Sequence, residues 1–376
     1  MVTDSFVTLT SLPEFSLWEN MSKARKPLGF ELELTARCNN NCRHCYINLA
    51  LSDPEAKAKE LSFDKIKNIA DEAVSLGVLW CLITGGEPLL REDFFDIYLY
   101  LKKKGLLVSV FTNGTLISEK HIDLFKEYPP RAIEITVYGV TKDTYEGVTR
   151  NPGSFAAFTK GLNLLLENGI KVNLKTMAIR SNVREFPDIV RFCQSKTNDF
   201  FRFDPFLQLR FDANPRRNAE IKAERLSSSE LIAIEQTDPQ RWRALIKMCD
   251  KFKNQDLSHI ACNHLFRCGA GRRSFAVSYD GWFRICSPLC HPDCIFDLKK
   301  INLKEVWEDL APQVLNMRSD REEFLTHCHN CSIKHLCKWC PPIAHLETGQ
   351  LDKPVQYFCD LAHARAAKLH IALSTV

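Results

Sequence analysis

Three cysteines fall within eight residues in Cys38-Asn-Asn-Asn-Cys42-Arg-His-Cys45, directly after the alternating apolar run from Gly29 to Leu34. Such a run reads as a strand, so the thiols sit on the loop that leaves it. Spacings of three and two residues let all three hold one metal centre, and leave a four-coordinate centre one ligand short. Iron–sulfur clusters normally take four cysteines, and structural zinc is likewise four-coordinate. The loop therefore predicts a cluster with one iron left open. The alternative is a zinc knuckle completed from elsewhere, with His44 the nearest spare donor.

The chain has 376 residues, 45% hydrophobic and 26% charged, with a formal net charge of +4. That describes a soluble globular protein with room for two domains, and the charge makes no case for nucleic acid as a partner. No basic-then-apolar leader opens the sequence, and no run approaches the ~18 apolar residues of a membrane span. The expectation is a cytoplasmic protein without a membrane or nucleic-acid partner. Sixteen cysteines are many for such a protein. In a reducing compartment they read as metal ligands or catalytic groups rather than disulfides.

Residues 1–28 carry Pro13 and Pro27 and form an N-terminal extension with at most a short helix. From there, apolar runs at 30–34, 78–84, 107–111, 132–138, 171–178 and 199–206 predict six strands. Stretches near 62–76, 92–104, 118–126, 154–168 and 184–196 show helical periodicity between them. This alternation implies a parallel sheet with right-handed crossovers, open or closed. Active sites of parallel barrels gather at the carboxyl ends of their strands. The three-cysteine loop, Gly85-Gly86-Glu87-Pro88, Thr112-Asn113-Gly114 and Tyr138-Gly139 all follow strands and so share one rim. Consecutive glycines permit close backbone approach, although a plain turn uses them too. Asp204, at the end of the sixth strand, is the candidate catalytic residue; a turn role in Phe203-Asp204-Pro205 competes with that reading. A charged helical bridge spans 216–260, and the section 261–376 holds ten of the cysteines.

CxxxCxxC followed by Gly85-Gly86-Glu87-Pro88 resembles the radical S-adenosylmethionine (SAM) superfamily. The resemblance implies an α/β fold, a partial (β/α)6 barrel over residues 29–215, with Cys38, Cys42 and Cys45 holding a 4Fe–4S cluster whose open iron binds SAM. In that family, cleavage of SAM yields a 5′-deoxyadenosyl radical that takes hydrogen from a substrate. By position it also implies SAM contacts from Gly85, Gly86 and Glu87, from His44 beside the adenine, and from Thr136 and Arg150 at the ribose and carboxylate. Arginine suits a carboxylate by its fork geometry, though Arg150 reads equally as a surface charge flanking a helix. Asn182 is a similar candidate.

The later cysteines run Cys268, then Gly281 and Cys286, then Cys328-His-Asn-Cys331, Cys337, Cys340 and Cys359, with Cys262 upstream. This resembles the SPASM domain of radical SAM enzymes, except that two residues separate Cys337 from Cys340 where three are frequent. The resemblance implies two auxiliary 4Fe–4S clusters, making three in all. Cys262, Cys268, Cys286 and Cys340 would hold the first, and Cys328, Cys331, Cys337 and Cys359 the second. Two zinc ribbons fit the same spacing. Cys81 and Cys193 lie in apolar runs and read as core. Cys290 and Cys294 offer an exchange ligand or a substrate contact, or form an incidental loop.

Taken together, the resemblances imply an oxidoreductase that crosslinks or oxidises a ribosomally synthesised peptide, with an external electron donor of flavodoxin or ferredoxin type. Ser287 stands where sulfatase maturases carry an acidic residue, which disfavours that subtype. The N-terminal extension is too short for the winged-helix domain of some relatives, so a separate leader-peptide-binding protein is a further candidate partner. The alternatives are a radical SAM enzyme acting on a tetrapyrrole, sugar or aminoglycoside, and a non-catalytic zinc-binding module.

Overall fold

The computed structural model describes residues 24–197, 201–253 and 263–369. Cys262, the expected fourth ligand of the first auxiliary cluster, lies outside the described residues, as does most of the N-terminal extension. Six strands pair in chain order, all parallel. They are β1 (Gly29–Glu33), β2 (Trp80–Thr84), β3 (Leu107–Thr112), β4 (Ala132–Thr136), β5 (Val172–Met177) and β6 (Arg202–Asp204). The connecting helices are α1 (Pro54–Lys59), α2 (Phe63–Ser75), α3 (Phe94–Lys103), α4 (Glu119–Glu127), α5 (Lys142–Thr149), α6 (Ser154–Glu167) and α7 (Phe186–Lys196). This is the parallel α/β sheet that the alternation predicted, in the order that the radical SAM resemblance implied.

Strand period and helix period meet in one core. Phe30 and Leu32 of β1 are buried in the same cluster as Ile66, Ile69, Ala70 and Ala73 of α2, while Glu31 and Glu33 take the opposite face of the strand. Ser62 caps α2 by accepting the Lys65 N–H at 3.3 Å. The helix α5 has no counterpart in the periodicity reading. Its eight residues include Gly147 and end in Val148 and Thr149, too short and too β-branched to show a helical face. Thr141 starts it by accepting the Thr144 N–H at 3.4 Å.

The bridge comprises three helices, α8 (Pro215–Glu224), α9 (Ser228–Thr237) and α10 (Pro239–Lys253). Beyond it, β7 (Ser274–Val277), β8 (Trp282–Arg284) and β9 (Ile295–Asp297) follow. β7 pairs in parallel with β1, with Gly29 opposite Ser274 and Leu32 opposite Val277. The strand order is therefore β9-β8-β7-β1-β2-β3-β4-β5-β6. Phe275 seals the junction, its ring 5.4 Å from Phe30, 5.3 Å from Phe283 and 5.7 Å from Trp307. Two further helices, α11 (Pro341–Thr348) and α12 (Gln356–Lys368), end the described chain. The buried Arg365 of α12 donates from Nη2 to Glu235 of α9 at 2.5 Å and from Nη1 to the Leu336 carbonyl at 2.7 Å. Among the described residues, no helix is long and apolar enough to cross a membrane.

Candidate active site

The carboxyl ends of β1–β6 surround a cavity of about 410 Å³. Cys38, Cys42 and Cys45 line one side, with Gly85, Gly86, Asn113, Thr136 and Tyr138 beside them and Lys175, Met177, Arg202, Asp204 and Phe206 opposite. The fold thus brings His44, Gly85, Gly86, Thr136 and Asp204 to the same mouth as the three thiols.

The paired glycines are required by their surroundings. Gly86 N–H donates to the Thr35 carbonyl at 2.6 Å and Glu87 N–H to that of Arg37 at 2.9 Å, so the turn docks on the backbone leading into Cys38. A Cβ on Gly86 would meet the Arg37 oxygen at 2.2 Å, and one on Gly85, at φ +140°, would meet the Thr35 oxygen at 2.3 Å. Glu87 is fully buried and accepts from Thr112 Oγ1 and Asn113 N, both at 2.7 Å, and from Leu89 N at 3.1 Å. Burial pushes its carboxyl up to about 7. It ties the β3 loop to the glycine turn, and Asn113 Nδ2 then reaches Asn39 Oδ1 at 2.8 Å and Cys38 Sγ at 3.8 Å.

His44 is buried with its ring 5.2 Å from that of Tyr138. Burial, reinforced by Arg217, lowers its pKa to about 4, so the imidazole is neutral at physiological pH. Its Nδ1 and the Nδ2 of Asn40 are buried without a partner. Orphaned polar atoms beside three thiols mark a place built for a ligand. Burial, then the charges of Glu87 and Cys42, push the Cys38 thiol up, and burial followed by Cys45 pushes Cys42 up to about 12. Iron reverses that preference, because a coordinated thiol is deprotonated outright. Three thiols, a glycine cradle and two unpaired polar atoms fit a cluster with an open iron and a polar ligand on it.

On the far side, Lys175 Nζ lies 3.5 Å above the Phe111 ring and 3.3 Å from Glu134 Oε2. Arg202 shares the same Glu134 oxygen at 3.3 Å and stands 3.6 Å from Asp204. Burial lowers the Lys175 pKa. Glu134, Lys175 and Arg202 escaped the sequence reading, yet a signal for two of them existed. Glu134 and Thr136 alternate with Ile133 and Ile135, and Lys175 and Met177 alternate with Leu174 and Thr176, the period-2 pattern of a strand with one face on a lumen. Arg150 is placed elsewhere. It ends α5 in a left-handed conformation (φ 51°) and pairs with Glu220 of α8 at 2.8 Å, away from the cavity lining. Asn182 also stays out of the lining; its Nδ2 donates to the Met177 carbonyl at 3.0 Å and the Tyr138 carbonyl at 3.2 Å, joining the β4 and β5 loops.

The described C-terminal thiols act on one another's charge, and Cys340 feels both Cys268 and Cys337. Burial and then Cys340 and Cys268 push the Cys286 thiol up. Burial and then Cys359, Cys337 and Cys331 push Cys328 up to about 12. Among the described residues, no three His, Cys, Asp or Glu side chains converge tightly enough for a single metal ion. Cys81 and Cys193 are buried core residues. Cys294 is buried with its sulfur 3.5 Å from that of Met317, and Cys290 faces the charges of Arg284 and Glu33.

A parallel partial barrel with three cysteines and a glycine turn on one rim defines a radical SAM domain. Residues 32–193 match the family model of the Radical SAM superfamily, which makes this segment a radical SAM domain. It is 29% identical over 326 residues to the antilisterial bacteriocin subtilosin biosynthesis protein AlbA of Bacillus subtilis, covering 82% of this chain and 68% of AlbA. It is 23% identical over 357 residues to an AdoMet-dependent heme synthase of Methanosarcina barkeri, covering 91% of this chain and 95% of the synthase. Among solved structures, Streptococcus suis SuiB bound to the precursor peptide SuiA shares the fold with a TM-score of 0.61 at 14% identity, over 94% of this chain and 82% of SuiB.

Proposed function

We propose that the chain is a radical SAM peptide maturase that crosslinks or oxidises a ribosomally synthesised peptide. The observation that carries this reading is the similarity to AlbA, which extends over 82% of the chain and so well beyond the barrel. Cys38, Cys42 and Cys45 would hold the SAM-binding 4Fe–4S cluster, with Gly85, Gly86, Glu87, His44 and Thr136 around SAM. Bound there, the cluster and SAM supply hydrogen-atom abstraction. The chain's own residues form the chamber: Phe111, Met177 and Phe206 exclude water, while Lys175, Glu134, Arg202 and Asp204 offer polar contacts to a substrate. Asp204 is the proposed proton acceptor on that side.

In this reading Cys262, Cys268, Cys286 and Cys340 hold one auxiliary cluster and Cys328, Cys331, Cys337 and Cys359 a second. Residues 29–215 form the barrel, 216–260 the bridge and 261–376 the SPASM section. A flavodoxin- or ferredoxin-type donor, a separate leader-binding protein and a cytoplasmic site of action complete the proposal.

The test is iron and sulfide content after anaerobic reconstitution, beside a Cys38/Cys42/Cys45→Ala triple variant. About twelve irons falling to about eight is expected for three clusters of four, with SAM cleavage abolished. Low iron with zinc in the C-terminal section would sink it. The heme-synthase similarity, over 91% of the chain, favours a tetrapyrrole as the second reading. Mass spectrometry after incubation with a precursor peptide or with a tetrapyrrole decides which of the two loses hydrogen.

A further inference from the structure

The segment following β6 folds back over the cysteine loop. Arg210 Nη1 donates to the Asn48 carbonyl at 3.1 Å, to Asn48 Oδ1 at 3.0 Å and to the Cys45 carbonyl at 3.4 Å. Arg217, on α8, donates from Nη2 to the Cys42 carbonyl at 2.8 Å and to Asn48 Oδ1 at 3.2 Å. The Phe211 N–H adds a bond to the Tyr46 carbonyl at 3.2 Å. Asn48 is the junction. Its backbone N–H lies 3.4 Å from Cys45 Sγ, and its Nδ2 reaches the Asn40 carbonyl at 3.4 Å. The Asn40 N–H in turn lies 3.4 Å from Cys38 Sγ.

Two permanently charged guanidiniums thus sit one hydrogen bond behind the carbonyls of two of the three cysteines. Arg210 and Arg217 also hold Asn48 through its carbonyl and Oδ1, and so keep the Asn48 N–H beside the Cys45 sulfur. Both effects favour the more negative, reduced state of a thiolate-bound cluster. Arg210 is 3% exposed, Asn48 8%, so solvent screens little of that field. Two carboxylates partly offset it: Asp212 accepts from Arg210 Nε at 2.9 Å and Nη2 at 2.6 Å, and Glu220 accepts from Arg217 Nη1 at 2.7 Å and pairs with Arg150 at 2.8 Å.

We propose that Asn48, Arg210 and Arg217 form a clamp of positioning residues that raises the reduction potential of the centre on Cys38, Cys42 and Cys45, with Glu220 as its counterweight. This rests on the reading that those cysteines hold a redox-active cluster. The experiment is a redox titration of the anaerobically reconstituted full-length protein, followed by the electron paramagnetic resonance signal that changes on adding SAM. Arg217→Gln shifts the midpoint to more negative potential at full iron content, and Arg217→Lys, which keeps the charge, stays nearer the wild type. Glu220→Gln shifts it the opposite way. An unmoved midpoint in fully loaded Arg217→Gln overturns the clamp. If Arg217→Gln takes up no iron, Glu220→Gln decides alone: an upward shift supports the clamp, and an unmoved or lower midpoint refutes it. A wild-type protein with no SAM-responsive signal refutes the cluster reading itself, and the clamp with it.

Discussion

At the scale of single residues, Gly86 and Glu33 make the sharpest demands. A Cβ on Gly86 has backbone oxygens of Arg37 and Ala36 at 2.2 and 2.6 Å, and neither is the end of a flexible side chain. Gly86→Ala should cost about 1–3 kcal/mol in unfolding free energy and reduce iron retention, since the displaced backbone leads into Cys38. Denaturant unfolding and iron analysis check both. Glu33 is fully buried with Oε2 unpaired, and burial raises its pKa to about 7, only partly countered by Arg284. An unfolded glutamate titrates near ~4.3, so between those values the native state holds the extra proton. Its contribution is therefore fully present at low pH and fades as pH rises through about 7. Glu33→Gln should match the wild type near the acid end and become the more stable protein toward pH 8, by an amount on the order of 3 kcal/mol. A difference between the two that does not grow with pH would contradict the assignment. The motif residues around the thiols were legible because a cysteine or a glycine pair admits few substitutes in its role. Arg150 was read both as a SAM contact and as a surface charge, because an arginine's reach leaves many partners open, and here it pairs with Glu220.

Among elements, the decisive contact is the parallel pairing of β7 with β1. It covers the barrel's leading edge, which would otherwise present unpaired N–H and C=O groups. Phe275 is 1% exposed and touches rings from both sides of that seam. Phe275→Ala should destabilise the protein by about 3–5 kcal/mol, and urea denaturation followed by tryptophan fluorescence is the measurement, Trp307 being one of its neighbours. The six barrel strands were legible because each is an apolar run bounded by turns. The pairing of β7 was not, because the 245-residue separation between Gly29 and its partner Ser274 leaves no local trace. The helix α5 escaped for the opposite reason, being too short to display a period.

For the whole molecule, the continuous sheet predicts dependence of the barrel on its C-terminal section. A fragment ending at residue 215 should be poorly soluble, and co-expression with residues 216–376 should restore it; a soluble, monomeric fragment by size-exclusion chromatography would show that the seam is dispensable. By itself the sequence determined the parallel α/β alternation and the three-thiol loop, because periodicity and ligand spacing are local properties of a chain. Tertiary structure alone decided how the cavity's charges pair with one another, that the later strands join the barrel's sheet, and that Arg210 and Arg217 close over the cysteine loop. Each of those depends on residues far apart in sequence meeting in a low-dielectric interior, where burial and pairing, rather than residue type, set what a side chain does.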